Sequence, residues 1–352
     1  MRYDARWLRP TISLAAILVL VVALVGCGAR GGGAGGGDGE NFTIGLSHVT
    51  TEDTPKGLAS QSFKELAEEK SEGRITVEVY PNSQLYGDED ELQALQSGAI
   101  QMLAPSSAKF TTIASQLQVL DLPFLFDAPE EIPEVVSRDS QIGQAIFENQ
   151  ALADANIKVM GLWDNGFMQL TANRELASPE DMNGLKVRIQ PSDVIQAQME
   201  TWGAEPTPMA FAEVYNALQQ GVIDGQENTY SNIFSQKFHT VQSNMTESSH
   251  HYLGYVLVIN NDFYEQLPED LKQTVTEAAD EASTYNREIA LEENTQAKEQ
   301  ILETDIQFTE LSAEQRQAFK DQVVPAVWDE FADVVGEDII QELKDRQETQ
   351  EK

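Results

Sequence analysis

Residues 94–100 and residues 217–223 share one pattern, A-L-Q-x-G-x-I. Each copy indicates the end of a helix, a glycine cap and the start of a strand. A chance match over seven residues is the alternative, but both copies lie where helical and strand patterns alternate. The sequence therefore predicts two similarly built α/β lobes with a cleft between them, and such clefts are where small ligands bind.

The body of the chain alternates helices and strands. Apolar residues at helical spacing over 55–71 are followed by residues 74–80, which alternate apolar and polar side chains like a strand with one buried face. A helix over 89–97 and a short apolar strand over 99–104 follow. Residues 268–303 contain no glycine and no internal proline. They predict a helix of about 50 Å, long enough to run across both lobes.

The first 40 residues predict export rather than a folded domain. Arginines precede an uncharged run over residues 11–25, which would span about 22 Å as a helix, less than the roughly 30 Å of a bilayer core. This pattern indicates a secretory signal. Small residues before Cys27 resemble a lipobox, with Cys27 lipidated; a plain signal peptide with an incidental cysteine is the alternative. We assign residues 1–26 to a lipoprotein signal peptide and 27–40 to a glycine-rich tether.

Composition argues against several classes of function. With 58 acidic and 23 basic residues the formal net charge is −35, so a nucleic-acid backbone would be repelled. The single cysteine excludes intramolecular disulfides and zinc sites with two or more cysteines. The neighbours His250 and His251 would face opposite sides of a strand, which favours a structural role over a metal site. We expect no nucleic-acid partner, no metal and no cofactor.

Motifs related to function concentrate between residues 163 and 251. No G-x-S-x-G or H-E-x-x-H pattern is present, and no phosphate-binding G-x-G-x-x-G follows a predicted strand. Several separated motifs, in order, resemble the substrate-binding subunits of tripartite ATP-independent periplasmic (TRAP) transporters, the DctP-type solute receptors. They are Asn82-Ser83-Gln84-Leu85, Asp121-Leu122-Pro123-Phe124-Leu125-Phe126, Pro179-Glu180-Asp181-Met182-Asn183-Gly184, Gly184-Leu185-Lys186-Val187-Arg188-Ile189-Gln190, the run from Pro206 to Tyr215, the run from Gly221 to Asn228, and Lys237-Phe238.

The resemblance implies a two-lobed α/β fold like that of periplasmic binding proteins, with crossing strands and a long helix spanning both lobes. It implies a receptor, not an enzyme, that captures a small organic acid anion and delivers it to an ion-gradient-driven TRAP permease. We expect a monomer outside the cytoplasm, in the periplasm or on the outer face of the cell membrane, with a lipid anchor at Cys27. The expected lobes are residues 41–165 with 254–292 and residues 166–253 with 293–345.

The resemblance also implies that Arg188, in the pattern L-K-x-R, pairs with the ligand carboxylate. A planar guanidinium matches both carboxylate oxygens, and between Val187 and Ile189 its burial would be costly without an anion. An internal salt bridge is the alternative. Asn228 and Phe211 match an asparagine and an aromatic residue that contact the ligand in the family; a turn residue and a core residue are the alternatives.

Other positions complete the expected site. Lys109 lies where the family often carries a basic residue, with a solvated lysine as the alternative. Met168 departs from the family, in which many relatives carry an arginine here; because an apolar side chain removes a cation, we expect a monocarboxylate rather than a C4-dicarboxylate. The remaining expected wall residues are Ser47, His48, Ser106, Trp163, Phe167, Glu227 and Tyr230.

Two functions from other classes are alternatives. An extracellular hydrolase would need a nucleophile and a base, or paired carboxylates, and no motif places such a pair. A ligand-sensing receptor of a signalling system would use the same fold and the same closing cleft, so the residues alone favour neither sensing nor transport.

Overall fold

The computed structural model describes residues 40–350 of the chain. The predicted signal peptide, Cys27 and most of the predicted tether lie outside this part. The strands within it are β1 (Phe42–Ser47), β2 (Ile75–Tyr80), β3 (Met102–Leu103), β4 (Ile157–Phe167), β5 (Gln169–Ala172), β6 (Lys186–Ile189), β7 (Glu205–Pro208), β8 (Gly225–Asn228), β9 (Asn244–Glu247), β10 (Tyr252–Asn260) and β11 (Gln307–Glu310).

The helices of the same part alternate with these strands along most of the chain. They are α1 (Pro55–Lys70), α2 (Glu91–Gln96), α3 (Ile132–Val135), α4 (Gln141–Phe147), α5 (Gln150–Asp154), α6 (Asp193–Thr201), α7 (Val214–Gln219), α8 (Tyr230–Ser235), α9 (Asn261–Gln266), α10 (Glu269–Leu302), α11 (Ala313–Glu330), α12 (Ala332–Val335) and α13 (Glu337–Gln350). None of them is long and apolar enough to cross a bilayer.

The strands form two mixed sheets. The first has the order β2-β1-β3-β10-β4, with β1 parallel to β2 and β3, and with β10 antiparallel to β3 and β4. The second has the order β11-β9-β5-β8-β6-β7, in which β5 runs antiparallel to β8 and β9, and β6 runs parallel to β7 and β8. Helices packed on two sheets are the predicted α/β fold class.

Two connections and one helix join the sheets. β4 ends one residue before β5 begins, and β9 leads into β10 through residues 248–251, so two strand pairs cross from one sheet to the other. The 34-residue helix α10 contacts α1 and β4 on the first side and α8 on the second. The predicted crossing strands and spanning helix are therefore confirmed. The strands of the first sheet come mainly from the residues predicted for the first lobe, and those of the second sheet from the second. The exact bounds of the lobes stay a prediction.

The repeated pattern forms the same local structure twice. α2 and α7 both end before a glycine in the left-handed region, Gly98 with φ +75° and Gly221 with φ +67°. In each copy the amide after the glycine donates to the carbonyl of the first residue of the pattern at 2.9 Å. A side chain with a Cβ would be strained at both positions. The strands that follow begin at Met102 and Gly225, a few residues later than predicted.

The C-terminal helices pack on both halves of the structure. The indole Nε1 of Trp202, at the end of α6, donates to the carbonyl oxygen of Phe319 on α11 at 3.1 Å. The indole Nε1 of Trp328, also on α11, donates to the carbonyl oxygen of Pro123 at 3.0 Å. Both indoles are buried, and both belong to one apolar cluster whose members range from α2 to α13.

Candidate ligand-binding cleft

One cleft collects charged and polar side chains from the two sides of the structure. α1, α2 and the segment after β3 contribute from the first side, and β6, β8 and α8 contribute from the second. About 340 Å³ of space lies between these side chains, part of it open to solvent. Five of the predicted site residues line it, namely Ser106, Lys109, Arg188, Phe211 and Asn228.

Arg188 on β6 is held by the backbone rather than by an acid. Its Nε and Nη2 atoms both donate to the carbonyl oxygen of Met209, at 3.0 and 2.8 Å. Its side chain is 1% exposed, and its guanidinium lies 5.9 Å from the ring centroid of Phe211. Within residues 40–350 no carboxylate oxygen lies within ion-pair distance of Arg188, and Nη1 has no hydrogen-bond partner. The alternative of an internal salt bridge therefore finds no partner in this part of the chain.

Lys109 is buried and paired, not solvated. Its Nζ lies 3.1 Å from Oδ1 of Asp88, and both side chains are almost fully enclosed. Oδ2 of Asp88 accepts a hydrogen bond from the amide of Phe211 at 2.6 Å. Burial opposes ionisation of Asp88, but Lys109, this amide and Arg188 together keep the pKa of Asp88 below its ordinary value. The charge of Lys109 is thus already balanced within the protein.

Lys56 and Glu91 line the cleft and were missed by the sequence analysis. Nζ of Lys56 donates to the carbonyl oxygen of Ala104 at 3.1 Å and lies 3.7 Å from the ring centroid of Tyr255. Burial lowers the pKa of Lys56 to about 8. Burial, followed by the charge of Asp88, raises the pKa of Glu91 to about 8. Among the residues described, neither side chain forms an ion pair within 4 Å.

Neutral side chains orient the rest of the cleft. Nδ2 of Asn232 donates to Oδ1 of Asn228 at 2.8 Å and to the Tyr255 hydroxyl at 3.2 Å. Since Oδ1 of Asn228 is occupied in this way, its amide group remains available as a donor to a ligand. Oγ of Ser106 donates to Oε1 of Gln190 in a short hydrogen bond. The cleft therefore presents mainly hydrogen-bond donors and cations, which suits an anion.

Of the three charged cleft residues that were missed, Lys56, Asp88 and Glu91, only Lys56 had a signal in the sequence. Lys56 lies in the first turn of α1, where a cation is unfavourable because it meets the positive end of the helix dipole. Contacts in the cleft, with the carbonyl oxygen of Ala104 and the ring of Tyr255, compensate for this unfavourable position. Asp88 and Glu91 lie at the start of α2, where acids are ordinary, so nothing in the local pattern distinguishes them.

Four predicted wall residues, on β4, between β4 and β5, and at the start of α8, lie outside the cleft. Nε1 of Trp163 donates to Oγ of Ser283 on α10 at 3.1 Å. Met168 is fully buried in an apolar cluster and does not line the cleft. Phe167 and Tyr230 instead border a separate surface groove beside α10. The expected monocarboxylate preference depended on Met168 as a cleft wall, so this argument was wrong.

The other predicted wall residues lie behind the cleft. Oε2 of Glu227 accepts a hydrogen bond from Nε2 of His250 at 2.8 Å. Although burial opposes it, this bond and His251 lower the pKa of Glu227 to about 2. Nδ1 of His48 lies 3.3 Å from Oγ1 of Thr50, while Ser47 is fully buried without lining the cleft. The structural role of His250 stays a prediction, to which its hydrogen bond with Glu227 lends support. Within residues 40–350 no group of three or more His, Cys, Asp or Glu side chains could hold a metal ion.

Comparisons with known proteins identify the family of the chain. The family model of bacterial extracellular solute-binding protein family 7, DctP, matches residues 46–333. The C4-dicarboxylate-binding periplasmic protein DctP of Rhodobacter capsulatus is 44% identical over 307 residues, which cover 87% of this chain and 91% of the relative.

Two solved structures have similar folds. A TRAP periplasmic solute-binding protein from Shewanella oneidensis with bound succinate matches with a TM-score of 0.82 and 42% identity, covering 86% of this chain and 98% of the other. One from Pseudomonas aeruginosa with bound L-malate matches with a TM-score of 0.79 and 39% identity, covering 82% and 99%. The chain therefore belongs to the DctP family of bacterial extracellular solute-binding proteins, and it is a TRAP-type solute receptor rather than an enzyme.

Proposed function

We propose that this receptor binds a C4-dicarboxylate in the cleft and delivers it to a TRAP permease. The observation that carries the proposal is a pair of buried cations, Arg188 and Lys56, neither of which has a carboxylate oxygen within 4 Å among the residues described. A buried charge without a partner is costly. The two carboxylates of one small ligand would compensate both cations.

The placement of the cations assigns each end of the ligand. Arg188 comes from β6 in the second sheet, and its remaining N–H donors, on Nη1 and the second hydrogen of Nη2, suit contact with one carboxylate. Asn228, on the neighbouring strand β8, would donate to the same carboxylate. Lys56 comes from α1 on the first sheet and would meet the other carboxylate. A ligand held in this way connects the two sides, which favours a closed cleft.

The names of the relatives support the same ligand class. The Rhodobacter capsulatus relative is named as C4-dicarboxylate-binding, and the two solved structures carry succinate and L-malate. The proposal replaces the monocarboxylate that the sequence led us to expect.

Calorimetry of the purified protein with succinate, L-malate and fumarate, against pyruvate and lactate, tests the ligand class. We expect the dicarboxylates to bind at least about tenfold more tightly, since a monoanion leaves one cation uncompensated. Replacing Arg188 by alanine should weaken dicarboxylate binding by about 2–5 kcal/mol, well over tenfold. Lys186→Ala is the matched control, because Lys186 is an exposed cation on the same strand. Equal or tighter binding of the monoanions would contradict the proposal.

Transport and sensing differ in the partner that receives the ligand. Proteoliposomes that contain a TRAP permease encoded beside this receptor should take up labelled succinate only when the receptor is added. Uptake that does not depend on the receptor would favour the alternative, a ligand-sensing receptor of a signalling system.

The proposed location includes a lipid anchor at Cys27. It is supported by the lipobox-like residues before Cys27 and the glycine-rich tether after it. Acyl chains contribute about 0.8 kcal/mol per buried methylene to membrane affinity. Cys27→Ser should therefore move the receptor from the membrane fraction to the soluble fraction, while the tether variant Ala29→Ser should not. Retention of Cys27→Ser in the membrane fraction would refute the anchor.

A further inference from the structure

We propose that Glu91 enters the complex as a neutral carboxylic acid whose hydroxyl donates a hydrogen bond to the ligand, and that Glu91 and Lys56 together hold the second carboxylate. The inference rests on the proposed dicarboxylate function and deepens it. It makes Glu91 a residue that determines which charge class of ligand the cleft accepts.

The position of Glu91 favours a neutral side chain. Its side chain lines the cleft, the residue is 2% exposed, and its Oε1 has no hydrogen-bond partner among the residues described. The nearby acid Asp88 differs, because Lys109 and the amide of Phe211 contact its two oxygens. A buried carboxylate without such partners is costly, so its neutral form is favoured. The neutral form carries an O–H donor that an ionised carboxylate lacks.

The charge balance of the cleft depends on Glu91. Three cations line it, Lys56, Lys109 and Arg188, and two acids, Asp88 and Glu91. With Asp88 ionised and Glu91 neutral, the cleft has two positive charges in excess, which match a dianion. With Glu91 ionised, the excess falls to one, which matches a monoanion. The protonation state of Glu91 therefore decides which anion fits.

The groups around Glu91 set where it titrates. Burial is the largest influence, and Asp88 and Asp90 add to it by repulsion, while Lys56 and Lys109 act in the opposite direction. The resulting pKa of Glu91 is about 8, and burial lowers the pKa of Lys56 to about 8 as well. Because the two groups interact, the free protein loses one proton from the pair near this pH. Binding of a dianion to the fully protonated pair would take that proton up from the solvent.

Calorimetry with succinate at pH 6.5 and pH 9, in buffers with different ionisation enthalpies, measures this proton directly. For the unmodified protein we expect no uptake at pH 6.5, up to about one proton at pH 9, and an affinity that falls about tenfold per pH unit above the pKa. Glu91→Gln keeps a neutral donor, so its affinity at pH 6.5 should stay within about threefold. Its proton uptake at pH 9 should fall below half of the uptake by the unmodified protein. Glu89→Gln, the same replacement at an exposed neighbour, should behave like the unmodified protein.

Three results would overturn the inference. One is the absence of proton uptake by the unmodified protein at pH 9, a result that needs no variant to fold. Another is a Glu91→Gln protein that takes up the same proton, which would place it on Lys56. The third is tenfold tighter binding by Glu91→Gln at pH 6.5, which would mean that Glu91 is ionised there. An unmodified protein that binds no dicarboxylate at either pH contradicts the proposed function instead.

Discussion

Nδ2 of Asn294, in α10, donates to the carbonyl oxygen of Asn165 in β4 at 2.9 Å. Oδ1 of Asn294 accepts from the amide of Ser231 at 3.1 Å. The side chain of Asn165 in turn donates to Oγ1 of Thr229 at 2.8 Å, and Thr229 follows the cleft residue Asn228. Hydrogen bonds therefore join the spanning helix, the crossing strand and the cleft in one continuous set.

Replacing Asn294 by leucine should disturb ligand binding from outside the cleft. The change removes both hydrogen bonds at similar side-chain size and leaves polar backbone groups without partners, which costs about 1–3 kcal/mol each. We expect a lower free energy of unfolding in urea and weaker succinate binding by calorimetry. Gln296→Leu, on an exposed face of the same helix, is the control. Unchanged affinity in a destabilised Asn294→Leu protein would show that the helix does not influence the cleft.

Lys56→Met should weaken the binding of dicarboxylates much more than that of monocarboxylates. The variant keeps the apolar length of the side chain but removes the cation proposed for the second carboxylate. Succinate affinity should fall more than about tenfold, whereas that of a weakly bound monoanion should change much less. Titration calorimetry gives both values, and Lys64→Met on the same helix, which does not line the cleft, is the comparison. A parallel loss of both affinities would assign Lys56 a general role in folding or closure.

Replacing Met168 should lower the stability of the fold without changing the selectivity between dicarboxylates and monocarboxylates. Its side chain is fully buried in an apolar cluster, so Met168→Ala should lower the free energy of unfolding by about 2–5 kcal/mol through the cavity it leaves. Met168→Leu, which nearly conserves volume, should cost less than about 1.5 kcal/mol. Neither variant should change the ratio of succinate to pyruvate affinity. A changed ratio in the well-folded Met168→Leu variant would show that Met168 does influence ligand selectivity.

Glu227 should contribute stability that is lost in acid. Its pKa in the folded protein is about 2, below the ordinary value of 4.5. A carboxyl group with a depressed pKa stabilises the fold above its unfolded pKa, and this contribution disappears as the pH falls from about 4.5 towards 2. Glu227→Gln should thus be less stable at pH 7 by on the order of 3 kcal/mol, with a difference that shrinks in acid.

Thermal unfolding of both proteins between pH 7 and pH 3 measures this difference. Glu205→Gln, an exposed acid in the same sheet, should show no such pattern. If the stability difference between Glu227→Gln and the unmodified protein stays constant across this range, ionisation of Glu227 does not stabilise the fold.

The fold was predictable where periodicity and caps agree. The helix predicted over 268–303 is Glu269–Leu302, and the strand predicted over 74–80 is Ile75–Tyr80. The strand predicted over 99–104 is shorter, Met102–Leu103, because the residues after Gly98 still bond back to α2. In a short apolar run after a glycine cap, the sequence alone does not show where the cap ends and the strand begins.

The site was predictable only in part, for two physical reasons. Arg188 and Asn228 lie in motifs on adjacent strands, so local patterns pointed to both. Lys56 and Glu91 lie on helices far away in sequence, and only the tertiary fold brings them to the same cleft. Met168 lies between two strands, where the alternation that reveals side-chain direction is interrupted.

The strand order of the first sheet has a consequence for how the chain folds. β10, at residues 252–260, lies between β3 and β4, and β4 is hydrogen-bonded to no other strand of that sheet. A nascent chain that ends before residue 252 therefore presents β3 and β4 with open edges, which are prone to mispairing. Pairing over such sequence distances is slow. The first sheet can therefore close only once residues 252–260 are available, whichever of its other strands pair first.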